Sequence, residues 1–166
     1  MALNDYRFLT YWRVEGQIDH VYEILGDPLG YPSWWSAIRS AIEVLEPNVE
    51  HGANKFTRME LRGWIPYALR WELINSELHK PNRIVSESRG DFIGHGIWSL
   101  NQEGPYVDIT FDWSVRAQKW FFRYFSLIFK PLFIANHDWV MEQGRKGLIR
   151  ELAKFNVKGS FQPVHV

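Results

Sequence analysis

Tyr106-Val107-Asp108-Ile109-Thr110-Phe111-Asp112-Trp113-Ser114-Val115-Arg116 alternates apolar and polar residues without a break. Successive side chains of an extended strand point to opposite faces. Val107, Ile109, Phe111, Trp113 and Val115 therefore share one face, and Asp108, Thr110, Asp112, Ser114 and Arg116 share the other. A strand built this way belongs to an antiparallel sheet that packs on one side and meets water on the other.

Working back along the chain, the same division recurs. Leu69, Trp71 and Leu73 oppose Arg70, Glu72 and Ile74, and Thr57, Met59 and Leu61 oppose Arg58, Glu60 and Arg62. Trp98 and Leu100 share a face with Gly94 and Gly96, where glycine marks either a bend or a close approach to the backbone. Strands are expected over Phe8–Gly16, Ile38–Glu46, Lys55–Arg62, Tyr67–Leu78, Arg83–Arg89, Phe92–Asn101 and Tyr106–Arg116, with Gly, Pro and Asn at the breaks. With no helical pattern between the later ones, they form successive hairpins. Between the first two strands lies a short helix, His20–Leu25, with Asp19 as its N-cap. Gly26-Asp27-Pro28 ends it, and a second short helix or turn carries Tyr31-Pro32-Ser33-Trp34-Trp35.

A one-sided sheet needs a cover. The last third of the chain supplies one: it is expected to be helical from Ala117, with Pro131 either kinking the helix or opening a new one. Ile134, His137, Met141, Leu148 and Leu152 recur at helical spacing and form one face. The expected architecture is α+β: an antiparallel sheet of about six or seven strands curved around a long C-terminal helix. It occupies residues 1–158 as one domain, with a loose tail at 159–166.

Composition excludes several functions. Nineteen basic residues balance nineteen acidic ones, so the chain lacks the charge of a nucleic-acid binder. There is no cysteine, and hence no disulfide, thiolate nucleophile or Cys-ligated metal. His51, His79, His95 and His137 fall at none of the spacings that place two imidazoles on one metal, so neither metal nor cofactor is expected. The opening Met1-Ala2-Leu3-Asn4-Asp5-Tyr6-Arg7 has no signal-peptide pattern, and the most apolar window, Trp120–Ile134, is broken by Arg123, Lys130 and Pro131. It falls short of the roughly 20 apolar residues of a membrane span. The expected location is cytoplasmic.

Val21-Tyr22-Glu23-Ile24-Leu25 with Asp27, Tyr31-Pro32-Ser33-Trp34-Trp35, Gly90-Asp91-Phe92-Ile93-Gly94-His95-Gly96-Ile97-Trp98 and Asn136-His137-Asp138-Trp139-Val140-Met141 fit one pattern in this order. With the succession of strand, two short helices, antiparallel strands and long helix, the chain resembles the START-like superfamily, also called SRPBCC or polyketide cyclase/dehydrase-like, over about Phe8–Phe155. The resemblance implies the helix-grip fold and a hydrophobic or amphipathic small molecule held between the sheet and the long helix. Some members are cyclases or dehydratases, and many only bind or carry lipids, sterols or quinones.

On that basis the ligand-binding residues are expected to be Trp35, Met59, Trp71, Trp98, Phe111, Trp113, His137 and Met141. His137 is the one catalytic candidate, able to bond a ligand carbonyl or to act as acid and base. The commoner reading of such a residue is a structural histidine satisfied by a strand carbonyl or a tyrosine. Trp34 and Trp35 either frame an opening or staple the short helices to the sheet. Arg58, Glu60, Arg62, Asp108 and Asp112 fall by parity on the outer face, as cross-strand ion pairs rather than an acid/base cluster. His95 falls there too. The favoured function is binding, with or without transport, of a hydrophobic small molecule or lipid in an internal cavity. The alternatives are a cyclase/dehydratase-type enzyme, and a lipid or quinone carrier that docks on a membrane through Trp120–Phe133, a stretch that would serve equally as a homodimer contact.

Overall fold

The computed structural model describes residues 5–48, 52–63, 68–118 and 126–159. The elements run β1 (Asp5–Glu15), α1 (Ile18–Gly26), a single 3₁₀ turn (Pro28–Gly30), α2 (Tyr31–Trp34), β2 (Ile38–Asn48), β3 (Gly52–Leu61), β4 (Leu69–His79), β5 (Arg83–Gly90), β6 (Phe92–Glu103), β7 (Tyr106–Ala117) and α3 (Ser126–Gly159). The strands form one antiparallel sheet in the order β1-β7-β6-β5-β4-β3-β2. β2 to β7 follow one another as hairpins, whereas β1 pairs with β7, so α1 and α2 carry the chain from one edge of the sheet to the other. Register shifts in β2 between Ile38 and Ser40, and in β4 between Asn75 and Glu77, are the irregularities that bend an antiparallel strand.

Parity survives folding. Phe8 pairs with Trp113, Met59 with Trp71, and Trp98 with Phe111, so the inner faces of neighbouring strands coincide. On the outer face Arg7 meets Asp112 at 2.7 Å, Arg13 meets Asp108 at 3.0 Å, Arg58 meets Glu72 at 2.6 Å, and Arg70 meets Glu60 at 2.8 Å. These are cross-strand pairs on the water-facing side, where ion pairs are screened and add little.

Three local expectations change. The N-cap of α1 is Gln17, with no side-chain cap, and Asp19 lies inside the first turn. The free N–H of Ile18 is satisfied from β6 instead: it donates to Gln102 Oε1 at 2.8 Å, while Gln102 Nε2 donates to the carbonyls of Gly16, Gly104 and Tyr106. Ala117 ends β7 rather than opening a helix, because its strand continues to pair with β6 at Phe92. Pro131 lies within α3, not at its start. Residues 119–125, and with them the first six positions of the Trp120–Phe133 stretch proposed for membrane or dimer contact, lie outside the described residues, and Phe133 at its end is buried.

α3 crosses the concave face of the sheet. Its buried side is formed by Phe133, Asn136, His137, Val140, Met141, Leu148 and Leu152. Ile134, expected on this side, is exposed. At about 100° of rotation per residue it sits at the margin of the buried arc. Leu152 has a similar angle but is covered; a Cβ on Gly16 would lie 3.4 Å from its side chain. Over the C-terminal half of α3 the interior is solid: Val14, Val21, Leu25, Ile84, Val107 and Leu148 are all 2 % exposed or less.

Two glycines on α3 let it sit this close. A Cβ on Gly147 would lie 2.0 Å from the carbonyl oxygen of Trp34, and one on Gly144 would lie 2.5 Å from the indole of Trp35. The Trp35 Nε1–H donates to the Val140 carbonyl at 2.9 Å. Trp34 and Trp35 are thus buried staples that hold α2 against α3. In an exposed helix, glycine to alanine adds about 1 kcal/mol of helix propensity. Here the added methyl meets backbone, so Gly147→Ala should lower stability by about 1–3 kcal/mol, the range of overpacked cores, as read from urea unfolding midpoints. A variant as stable as the parent would show that the close approach is not needed.

Candidate functional site

The N-terminal half of α3 does not close onto the sheet. Between them lies a cavity of about 100 Å³, and Trp35, Met59, Trp71, Trp98, Phe111, Trp113, His137 and Met141 all line it. Phe92, Phe133, Ser86, Ser88 and Asn136 line it too, without having been singled out from the sequence. Ser86 and Ser88 alternate with exposed Glu87 and were accessible to the same parity argument as the other strands. Asn136 and Phe133 depend on how α3 is rotated, which spacing alone leaves open.

The walls are two groups of aromatic rings. In one, Trp98 stacks on Phe111 at 4.0 Å and meets Trp12 at 5.4 Å, which in turn meets Trp35 at 6.0 Å. In the other, Phe92 meets Trp71 at 5.9 Å, Trp113 at 5.2 Å and Phe133 at 5.6 Å. The inner-face glycines serve this packing. A Cβ on Gly96 would lie 2.8 Å from the Phe111 ring, and one on Gly94 would lie 2.0 Å from the Ser114 carbonyl oxygen. The close approach comes from β7 itself. Trp71, Leu73, Phe111 and Trp113 face inward by register yet are only partly buried, since the space above them is not filled by protein.

His137 projects from α3 onto this wall. Its ring is near parallel to Phe8 at 3.9 Å and to Trp113 at 5.6 Å. Phe8 and Trp113 are themselves cross-strand neighbours 5.6 Å apart, so the imidazole lies flat over the pair rather than between them. The residue is 7 % exposed. Its Nδ1 lies 3.4 Å from the Asp138 carboxylate, and its buried Nε2 has no hydrogen-bond partner among the described residues. The strand carbonyl or tyrosine that would make it a purely structural histidine is not found among the described residues. Asn136, 2 % exposed, likewise has an Oδ1 without a partner among the described residues; a Cβ on Gly63 would lie 1.9 Å from that oxygen.

Burial pushes the His137 pKa down to about 4, outweighing the opposing pull of Asp138, so the ring is neutral at pH 7. The titratable side chains among the described lining residues are His137 and Tyr31. Burial raises the Tyr31 phenol, whose hydroxyl donates to the Leu25 carbonyl at 2.6 Å. Among the described residues, no group of three or more His, Asp or Glu side chains is placed to hold a metal ion. No described helix is long and apolar enough to cross a membrane.

An antiparallel sheet gripping one long helix over an apolar cavity defines the helix-grip class. No family model and no curated protein matches the sequence. Among solved structures, the chain is similar to a START superfamily protein from Mycobacterium smegmatis, with TM-score 0.68, 13% identity, and coverage of 90% of this chain and 98% of that one. It is similar as well to an aromatase/cyclase from Streptomyces sp. R1128, with TM-score 0.66, 14% identity, and coverage of 90% and 94%. A di-domain ARO/CYC protein of the BE-7585A biosynthetic pathway matches with TM-score 0.68 and 11% identity over 90% of this chain, which spans 50% of that larger one. The fold is the START-like helix-grip.

His137 has a consequence for stability. In the unfolded chain it takes up a proton near pH 6.5, and in the folded protein only near 4. The folded protein binds fewer protons in that window, so stability present above pH 6.5 is lost as the pH falls toward 4, by up to roughly 3 kcal/mol. Glu60, Glu72 and Asp112, held low chiefly by their arginine partners, act below their ordinary values of 4.5 and 3.8. Thermal unfolding followed from pH 7 to 4 should therefore slope in the parent and flatten in His137→Phe. An unchanged slope in the variant would assign it elsewhere.

Proposed function

We propose that this protein binds a compact hydrophobic small molecule in the cavity under α3. One observation carries the reading: large aromatic side chains turned inward by register stay partly uncovered around a cavity of about 100 Å³. Covering such surface is favourable by about 25 cal/mol per Å². A site with apolar walls and few polar groups suits a ligand held by burial and oriented by one or two hydrogen bonds. The volume suits a single ring better than a long chain, since an engineered apolar cavity of about 150 Å³ takes up benzene.

Binding is favoured over a cyclase- or dehydratase-type reaction by the same lining. Acid–base chemistry needs groups poised near the working pH, and burial moves both His137 and Tyr31 away from it. The test is native mass spectrometry of the protein purified from its own host, with extraction of whatever co-purifies. A bound apolar molecule is expected, and Ser88→Leu, which places a larger side chain in the cavity, should lose it while costing at most about 1–3 kcal/mol of stability. A ligand retained unchanged by that variant would place its binding outside the cavity.

A further inference from the structure

The polar end of the cavity is more specific than its walls. His137 is neutral at pH 7 and carries one ring proton, and its Nδ1 faces the Asp138 carboxylate at 3.4 Å. A carboxylate accepts and does not donate, so the proton belongs on Nδ1. Nε2, on the opposite edge of the ring, is then a bare acceptor. It is buried and unpartnered among the described residues, on a side chain that lines the cavity. The flat seat of the imidazole on Phe8 and Trp113 takes one ring face out of play and leaves hydrogen bonding to the ring's edges. The other polar side chain that α3 contributes to the lining, Asn136, has an acceptor oxygen unpartnered among the described residues, packed against Gly63.

We infer that the ligand is a single-ring compound bearing a hydroxyl or N–H donor, which it delivers to Nε2 of His137. This rests on the cavity being the binding site. A ligand carbonyl, the partner expected from the sequence, would set acceptor against acceptor. A carboxylate would add an uncompensated negative charge in an apolar site close to Asp138. A donor satisfies an otherwise unpaired buried acceptor, and the aromatic walls select a planar body behind it.

Phenol and toluene separate these cases, having nearly the same shape and differing in the donor. Titration calorimetry of the wild-type protein is expected to show phenol binding at least as tightly as toluene, despite its stronger hydration. Tighter binding of toluene would overturn the inference and leave the cavity reading intact. In His137→Phe the ratio of phenol to toluene affinity should fall by about 10-fold, whatever the variant does to both affinities together, and His137→Gln, which restores an acceptor, should recover part of that ratio. A phenol preference that survives in His137→Phe would also overturn the inference. Binding of neither probe to the wild-type protein would remove the cavity reading and the inference together.

Discussion

The seat of α3 is the constraint on which the rest of the molecule depends. Gly144 and Gly147 bring the helix against Trp34 and Trp35, and the Trp35 indole bonds the Val140 carbonyl. This pins the middle of α3 at close range. Beyond it, toward the C-terminus, Leu148 and Leu152 complete a dry core with α1 and β1. On the other side the bulky rings of Phe133 and His137 hold the helix off the sheet, and the space left is the cavity. One contact therefore divides a single helix into a structural half and a binding half.

The divided sheet explains why the site contains so little charge. Strand parity sends Arg58, Glu60, Arg70, Glu72, Asp108 and Asp112 outward, where they pair in water at little gain or cost. It sends the aromatic residues inward, where they stack on one another. Besides Tyr31 of α2 and the two serines of β5, Ser86 and Ser88, the polar side chains of the lining come from the helix, as Asn136 and His137. Burying an imidazole without a second partner is costly, and the cost appears as its lowered pKa. Its retention there is understandable if something else completes its hydrogen bonding.

Much of the fold was legible because period-two alternation is a strong and local signal. β4, β6 and β7 announce which of their residues face inward, and each inward tryptophan named from parity lines the cavity. The caps were less legible: Asp19 looks like a helix start, but Gln102, 84 residues away from Ile18 in sequence, satisfies that helix end instead. The rotation of α3 was also only partly readable. Ile134 and Phe133 are both apolar and adjacent, and only contact with the sheet decides that one is exposed and the other buried.

Alternation and helical spacing alone specify a one-sided antiparallel sheet, a long covering helix and an aromatic interior, since neither signal depends on knowing the partners. Tertiary structure alone decided that the interior is solid at one end and open at the other. It decided too that His137 lies flat on Phe8 and Trp113, with Nε2 unpartnered among the described residues. Both outcomes follow from how closely two distant segments approach, a distance set by the glycines of α3 meeting Trp34 and Trp35 and recorded in no local pattern.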